Sequence, residues 1–156
     1  MRPMVQDEGE GLALEVMASR IVIRVRAEDT AGAFSVVEMH VPAGFQAPPI
    51  RHRHRDVDWY ALVEDGEIAI ELDGVEHRVR RGGLVVVPHG VAFRWWNASR
   101  ERGARWLATY TPGGFERFFV EMISGMQALG HSPTPSDMAA IARPLWTQYG
   151  VDMTDQ

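Results

Sequence analysis

"RHRHRDVDWY", residues 51–60, decides how this chain is read. If the stretch is one extended strand, successive side chains point to opposite faces. Arg51, Arg53 and Arg55 then share one face, and His52, His54, Asp56 and Asp58 share the other. Arginine stays charged and prefers water, so the second face turns inward. Two imidazoles at i and i+2 can aim at one point. A carboxylate beside them completes a two-nitrogen, one-oxygen donor set, with positions left open for water or substrate. That set suits Fe, Mn, Ni, Cu or Zn. The competing reading is a charged edge strand whose histidines face water, and spacing alone does not choose between the two.

The sequence on either side reads as strands. "ASRIVIRVRAE" alternates around Ile21, Ile23 and Val25, and "GAFSVVEMHVPAG" ends at Pro42 and Gly44. Asp73-Gly74 between "IAIEL" and "VEHRV" predicts a two-residue hairpin, because both central positions favour φ > 0. Gly66 marks another turn. "LVVVP", "VAFRWWN" and "ARWLATYTP" add further strands. Short strands with regular turns predict a sandwich or barrel. From Phe115 onward the apolar period becomes helical, through Phe118, Phe119, Met122, Ile123 and Met126. A second helix is predicted to open at Thr134-Pro135 and to stop at Gly150, with Pro144 as a kink. The expected plan is a flexible arm over 1–11, a β-barrel over 12–112, and two helices within 113–156 packed outside it as part of the same domain.

Composition removes several kinds of chemistry. The chain of 156 residues suits one domain with a real core. All 16 basic residues are arginine, which leaves no lysine for a Schiff base or a phosphate loop. There is no cysteine, hence no disulfide and no thiolate nucleophile or ligand. A net charge of -5 without a long basic run argues against a nucleic-acid partner. No apolar run approaches a membrane span and no leader pattern opens the chain, so no membrane partner is expected and the location is read as cytoplasmic. No G-x-S-x-G element points to covalent acyl chemistry.

The region from about Phe34 to Pro112 resembles the cupin superfamily. Gly44, His52-x-His54, Asp58 and Gly66 match its first motif. Gly82, five residues, Pro88-x-Gly90 and then Asn97 match its second. "YTPGGFERFF" is similar to the end of small bacterial single-domain cupins of the quercetin-dioxygenase-like kind. The resemblance implies a conical β-barrel or jelly roll, often dimeric, with a metal site and substrate pocket inside. His52, His54 and Asp58 would be its metal ligands, with iron the expected ion.

The chain departs from that pattern. Phe93 stands three residues after Gly90, where the family has its fourth ligand, a histidine. Asp58 is shorter than the usual glutamate. The gap from Gly44 to His52 is longer than usual, and one extra residue separates Asp58 from Gly66. Phe93 shares a strand face with Trp95, which makes a drier pocket suited to an apolar or aromatic ligand. Tyr60 is a further pocket candidate. Glu38 and His40 share a face and pair either inside the barrel or along its outside. His89, in the turn before Gly90, either replaces the missing ligand or faces solvent; His77 and His131 are expected on the surface.

Three functions follow. The first is a metal-dependent oxygenase acting on a hydrophobic or aromatic, natural-product-like small molecule through His52, His54 and Asp58. The second is a metal-free cyclase, isomerase or dehydratase in which the same residues are the acid/base groups. The third is a non-catalytic small-molecule binding barrel. A homodimer is expected in each case.

Overall fold

A computed structural model describes residues 1–45 and 51–154. Eleven strands and two helices are present among them: β1 (Leu12–Val16), β2 (Ser19–Val25), β3 (Ser35–Val41), β4 (His52–His54), β5 (Asp58–Asp65), β6 (Glu67–Leu72), β7 (Val75–Arg80), β8 (Leu84–Val87), β9 (Phe93–Asn97), β10 (Ala104–Thr111), α1 (Glu116–Gln127), α2 (Pro135–Gln148) and β11 (Val151–Met153). They form two antiparallel sheets. The larger runs β1-β2-β3-β10-β5-β8 and the smaller β11-β4-β9-β6-β7. This is a mainly-β double-sheet jelly roll: the strand spacing predicted a sandwich or barrel, and the family resemblance implied the jelly roll.

Consecutive strands from β3 onward often change sheet. β5 belongs to the larger sheet and β6 to the smaller, and Gly66 carries the chain between them at φ 72°. A side chain there would stand 2.5 Å from the carbonyl oxygen of Gly103, so both the backbone angle and the space require glycine. The Asp73-Gly74 turn forms as predicted, with φ 48° and 82° and Leu72 opposite Val75.

Alternation fills the space between the sheets. Ile21, Ile23, Val37, Met39, Val63, Ala108 and Trp106 come from the larger sheet, and Ile68, Ile70 and Phe93 from the smaller. The helices lie beyond the strands, but α1 sends Phe115, Phe118, Phe119 and Ile123 into the same apolar cluster. Thr134 caps α2 as expected, and the helix continues through Pro144. After Gly150 the chain makes a strand that helical periodicity did not predict: β11 pairs with β4, placing Val151 opposite His54 and Met153 opposite His52. The N-terminal residues are held across the larger sheet. Arg24 bonds the Gln6 side chain at 3.2 Å and the Asp7 carbonyl at 2.9 Å, and Arg105 bonds Glu8 at 2.9 Å.

Two glycine substitutions separate angle from space. Gly74→Ala, at φ 82° with nothing within 4 Å, is expected to cost about 1 kcal/mol. Gly66→Ala adds a backbone clash, and urea denaturation is expected to show a loss of about 3 kcal/mol or more. Equal losses in the two variants would contradict this account of the crossover.

Candidate functional site

β4 is only three residues long, and alternation works within it: His52 and His54 face the interior and Arg53 faces out. Its position is fixed on both sides. His52 sits opposite Phe93 of β9, β11 flanks the other edge, and the Gly90 N–H donates to the His54 carbonyl at 2.7 Å.

His54 is 4% exposed, and its Nδ1 has no hydrogen-bond partner. Aromatic rings enclose it. Phe115 meets it edge-on at 4.5 Å between centroids, Phe93 lies at 5.7 Å, Tyr110 at 6.2 Å and the His52 ring at 5.5 Å. Burial, and next the nearby His52 imidazole, push the His54 pKa down to about 3. The imidazole is therefore neutral at physiological pH. Burial also raises the pKa of Tyr110, against the smaller effect of its hydrogen bond with Trp59. His52 packs on Phe93 at 4.4 Å.

Asp58 does not join the histidines. The strand ends at His54, the chain bends through Arg55–Val57, and β5 starts in the other sheet. The bend resets the alternation, so Trp59 faces inward at 3% exposure and Asp58 faces outward with Tyr60 and Leu62. The Asp58 Oδ1 accepts from the His89 backbone N–H at 2.8 Å and lies 2.7 Å from the His89 Nδ1. The backbone N–H first, and then the imidazole, hold the Asp58 carboxyl below its ordinary range. His89 is exposed and turned away from the barrel. The extra residue between Asp58 and Gly66 was the signal in the sequence: counted back from the glycine, the inward position is Trp59. Its ring stacks on Phe93 at 5.2 Å and 14°.

The other pocket candidates divide. Trp95 faces the interior, stacked on Phe45 at 5.8 Å and edge-on to Trp106 at 4.8 Å. Glu38 and His40 do pair, at 2.5 Å, but on the face of β3 opposite Val37, Met39 and Val41. There Arg24 donates to Glu38 at 2.7 Å; burial alone would raise the Glu38 carboxyl, but that bond and the His40 contact together hold it below its ordinary range. Tyr60 lies on the outer face of β5, opposite Thr109 and Val86. Phe115 and Tyr110 were missed as site residues. They follow from the helical apolar pattern and the strand alternation only once α1 is known to enter the barrel beside His54.

A two-sheet jelly roll with histidines and aromatic rings inside defines a class of β-barrel proteins whose chemistry is interior. Residues 37–110, just under half of the chain, match the family model described as the cupin domain, and the chain is similar to small proteins of the cupin superfamily. Its fold is similar to a predicted oxalate decarboxylase from Thermotoga maritima (TM-score 0.62, 15% identity, covering 70% of this chain and 99% of that one). It is also similar to KdgF from Halomonas sp. (TM-score 0.58, 17% identity, covering 71% and 96%). Ectoine synthase from P. lautus is a third such structure (TM-score 0.51, 15% identity, covering 65% and 70%). No curated protein sequence matches the chain.

The donor set does not fit the metal that the family implies. A two-His, one-carboxylate site needs the third ligand on the histidine side. Here that carboxylate is committed to His89, and Trp59 and Phe93 face the histidines instead. Among the described residues, no three of His, Asp and Glu gather in a way that could hold an ion.

The burial of His54 sets a pH dependence. Its folded pKa is about 3 against an ordinary 6.5, so the unfolded chain takes up a proton that the folded chain refuses. This contribution to stability is complete above pH 6.5 and is lost as pH falls toward 3. Urea midpoints are expected to fall between pH 7 and pH 4.5, and His54→Phe should flatten that slope. An unchanged slope in the variant would place the acid sensitivity elsewhere.

Proposed function

We propose that this protein is a metal-independent enzyme that moves a proton on an apolar, aromatic small molecule, as an isomerase, cyclase or dehydratase does. The observation that carries the reading is the buried, unpartnered Nδ1 of His54 inside an aromatic enclosure. A neutral imidazole offers one donor and one acceptor nitrogen. An enol or phenol reaching His54 would meet an unprotonated base. As its oxygen loses the proton, negative charge develops against the ring and raises the affinity of the ring for that proton. Phe93, Trp59 and Phe115 would exclude water and hold the ligand plane by stacking. The His52 ring, 5.5 Å away, would tune the basicity of His54 through its charge.

Two other readings rank behind it. A non-catalytic binding barrel is favoured by how closely the rings already pack around His54. An iron-dependent oxygenase, which the motif resemblance suggested, needs a third ligand that the described residues do not bring to the histidines.

The test uses untagged protein and a panel of enolisable aromatic ketones and phenols. Metal analysis is expected to find less than about 0.1 equivalent of any transition metal. Turnover is expected to survive chelation and to fall about a hundredfold or more in His54→Gln, with the melting temperature retained. Stoichiometric metal that is needed for turnover would restore the oxygenase reading. Binding of a panel member without turnover would favour the binding barrel.

A further inference from the structure

Four buried side-chain polar atoms lack a hydrogen-bond partner among the described residues: Ser19 Oγ, Ser35 Oγ, His54 Nδ1 and Glu64 Oε2. Glu64 holds an outward position on β5 and has Arg105 at 3.4 Å. Ser19 opens β2 beside the Val41 end of β3, because Arg20 stands opposite His40. Ser35 opens β3 at the other end. It is 0% exposed and shares a strand face with Val37 and Met39, so it points into the barrel. The register brings it to the His54 site. Ser35 stands opposite Tyr110 on β10. The Tyr110 ring lies 6.2 Å from the His54 ring and stacks at 4.8 Å on Phe115, which meets His54 at 4.5 Å. Two unpartnered polar groups, one from each sheet, therefore border the same aromatic ring. The Tyr110 hydroxyl is bonded to Trp59 and serves neither of them. Inward strand positions ordinarily carry branched apolar side chains. A buried hydroxyl without a partner costs free energy that alanine would avoid.

We propose that Ser35 is a second ligand-binding residue of the His54 site, and that the ligand carries two oxygens on one conjugated body: a hydroxyl for His54 Nδ1 and a carbonyl for the Ser35 hydroxyl. This rests on the proton-transfer reading above and narrows its substrate to hydroxyaryl ketones and vinylogous enols. A serine hydroxyl donates one hydrogen bond, and a carbonyl oxygen can only accept. The two contacts act on one charge. The ligand hydroxyl gives its proton to His54 Nδ1, and the electron pair of the broken O–H bond spreads through the conjugated body to the carbonyl oxygen. Negative charge grows there, and the hydrogen bond from Ser35 strengthens as it grows. No bond to Ser35 forms or breaks. Ser35 thereby selects ligands that can carry the charge away from His54.

The test uses the full chain and pairs of probes that differ in one group: para-hydroxyphenyl ketones and the matching para-alkyl phenols. Dissociation constants are measured by calorimetry. A conjugated ketone also makes the phenol more acidic, so the readout is the change in preference on substitution. Ser35→Ala is expected to weaken ketone binding about tenfold or more and to leave the alkyl phenol unchanged. His54→Gln is expected to weaken both members. Ser35→Ala should melt at or above the temperature of the unsubstituted protein, since no protein group uses the hydroxyl. An unchanged preference in Ser35→Ala, with His54→Gln still effective, would overturn this proposal and leave the role of His54 standing. A melting temperature lower by about 5 °C or more in Ser35→Ala would reveal a protein partner for the hydroxyl and would also overturn it. Binding indifferent to His54→Gln, or no binding by either member of any pair, would remove the proton-transfer reading and this proposal with it.

Discussion

The bend between His54 and Asp58 determines what the interior of this protein is made of. β4 and β5 lie in different sheets, so the alternation of one does not carry into the other. A continuous strand would have placed His52, His54 and Asp58 on one face. The bend instead presents His52, His54 and Trp59 inward and leaves Asp58 outside. Phe93 enters from β9 and stacks on Trp59 at 5.2 Å. A donor set is thereby replaced by an aromatic pair, with His54 buried and His52 half-buried beside it.

Much of the fold was readable because strand alternation and turn chemistry act locally. Asp73-Gly74 needs only its own backbone angles to specify a hairpin, and Thr134 needs only Asp137 to complete its cap. The strand β11 was not readable, since Val151–Met153 is too short to show a period and its partner β4 lies about a hundred residues away. The site was readable in part for the same reason. His52 and His54 are neighbours on one strand, so their common face followed from spacing. The position of Asp58 depended on a change of sheet that no local pattern announces. The extra residue before Gly66 was the one trace of it. The Glu38–His40 pair shows the same limit: spacing gave the pair, and only the packing of Val37, Met39 and Val41 shows that the pair lies outside.

The placement of Asp58 links the interior to the surface. Its carboxylate fixes the turn at His89, and the next residue, Gly90, donates to the His54 carbonyl at 2.7 Å. One outward carboxylate therefore steadies the loop that closes over the end of β4.

The unpartnered nitrogen of His54 gives the strongest physical argument for a ligand. A buried polar atom left without a partner costs free energy, and a phenyl ring of similar shape would avoid that cost. Water is a poor remedy here. A buried water needs two to four polar partners, whereas Phe93 and Phe115 beside the ring carry no polar atom and the Tyr110 hydroxyl is already bonded to Trp59. Protonation is no remedy either, because the same burial disfavours the charged ring. Under the proposed function, the nitrogen would be satisfied by a molecule that brings a hydroxyl or enol on a largely apolar, planar body. Such a molecule could replace ring contacts with ring contacts and add the hydrogen bond that this nitrogen lacks.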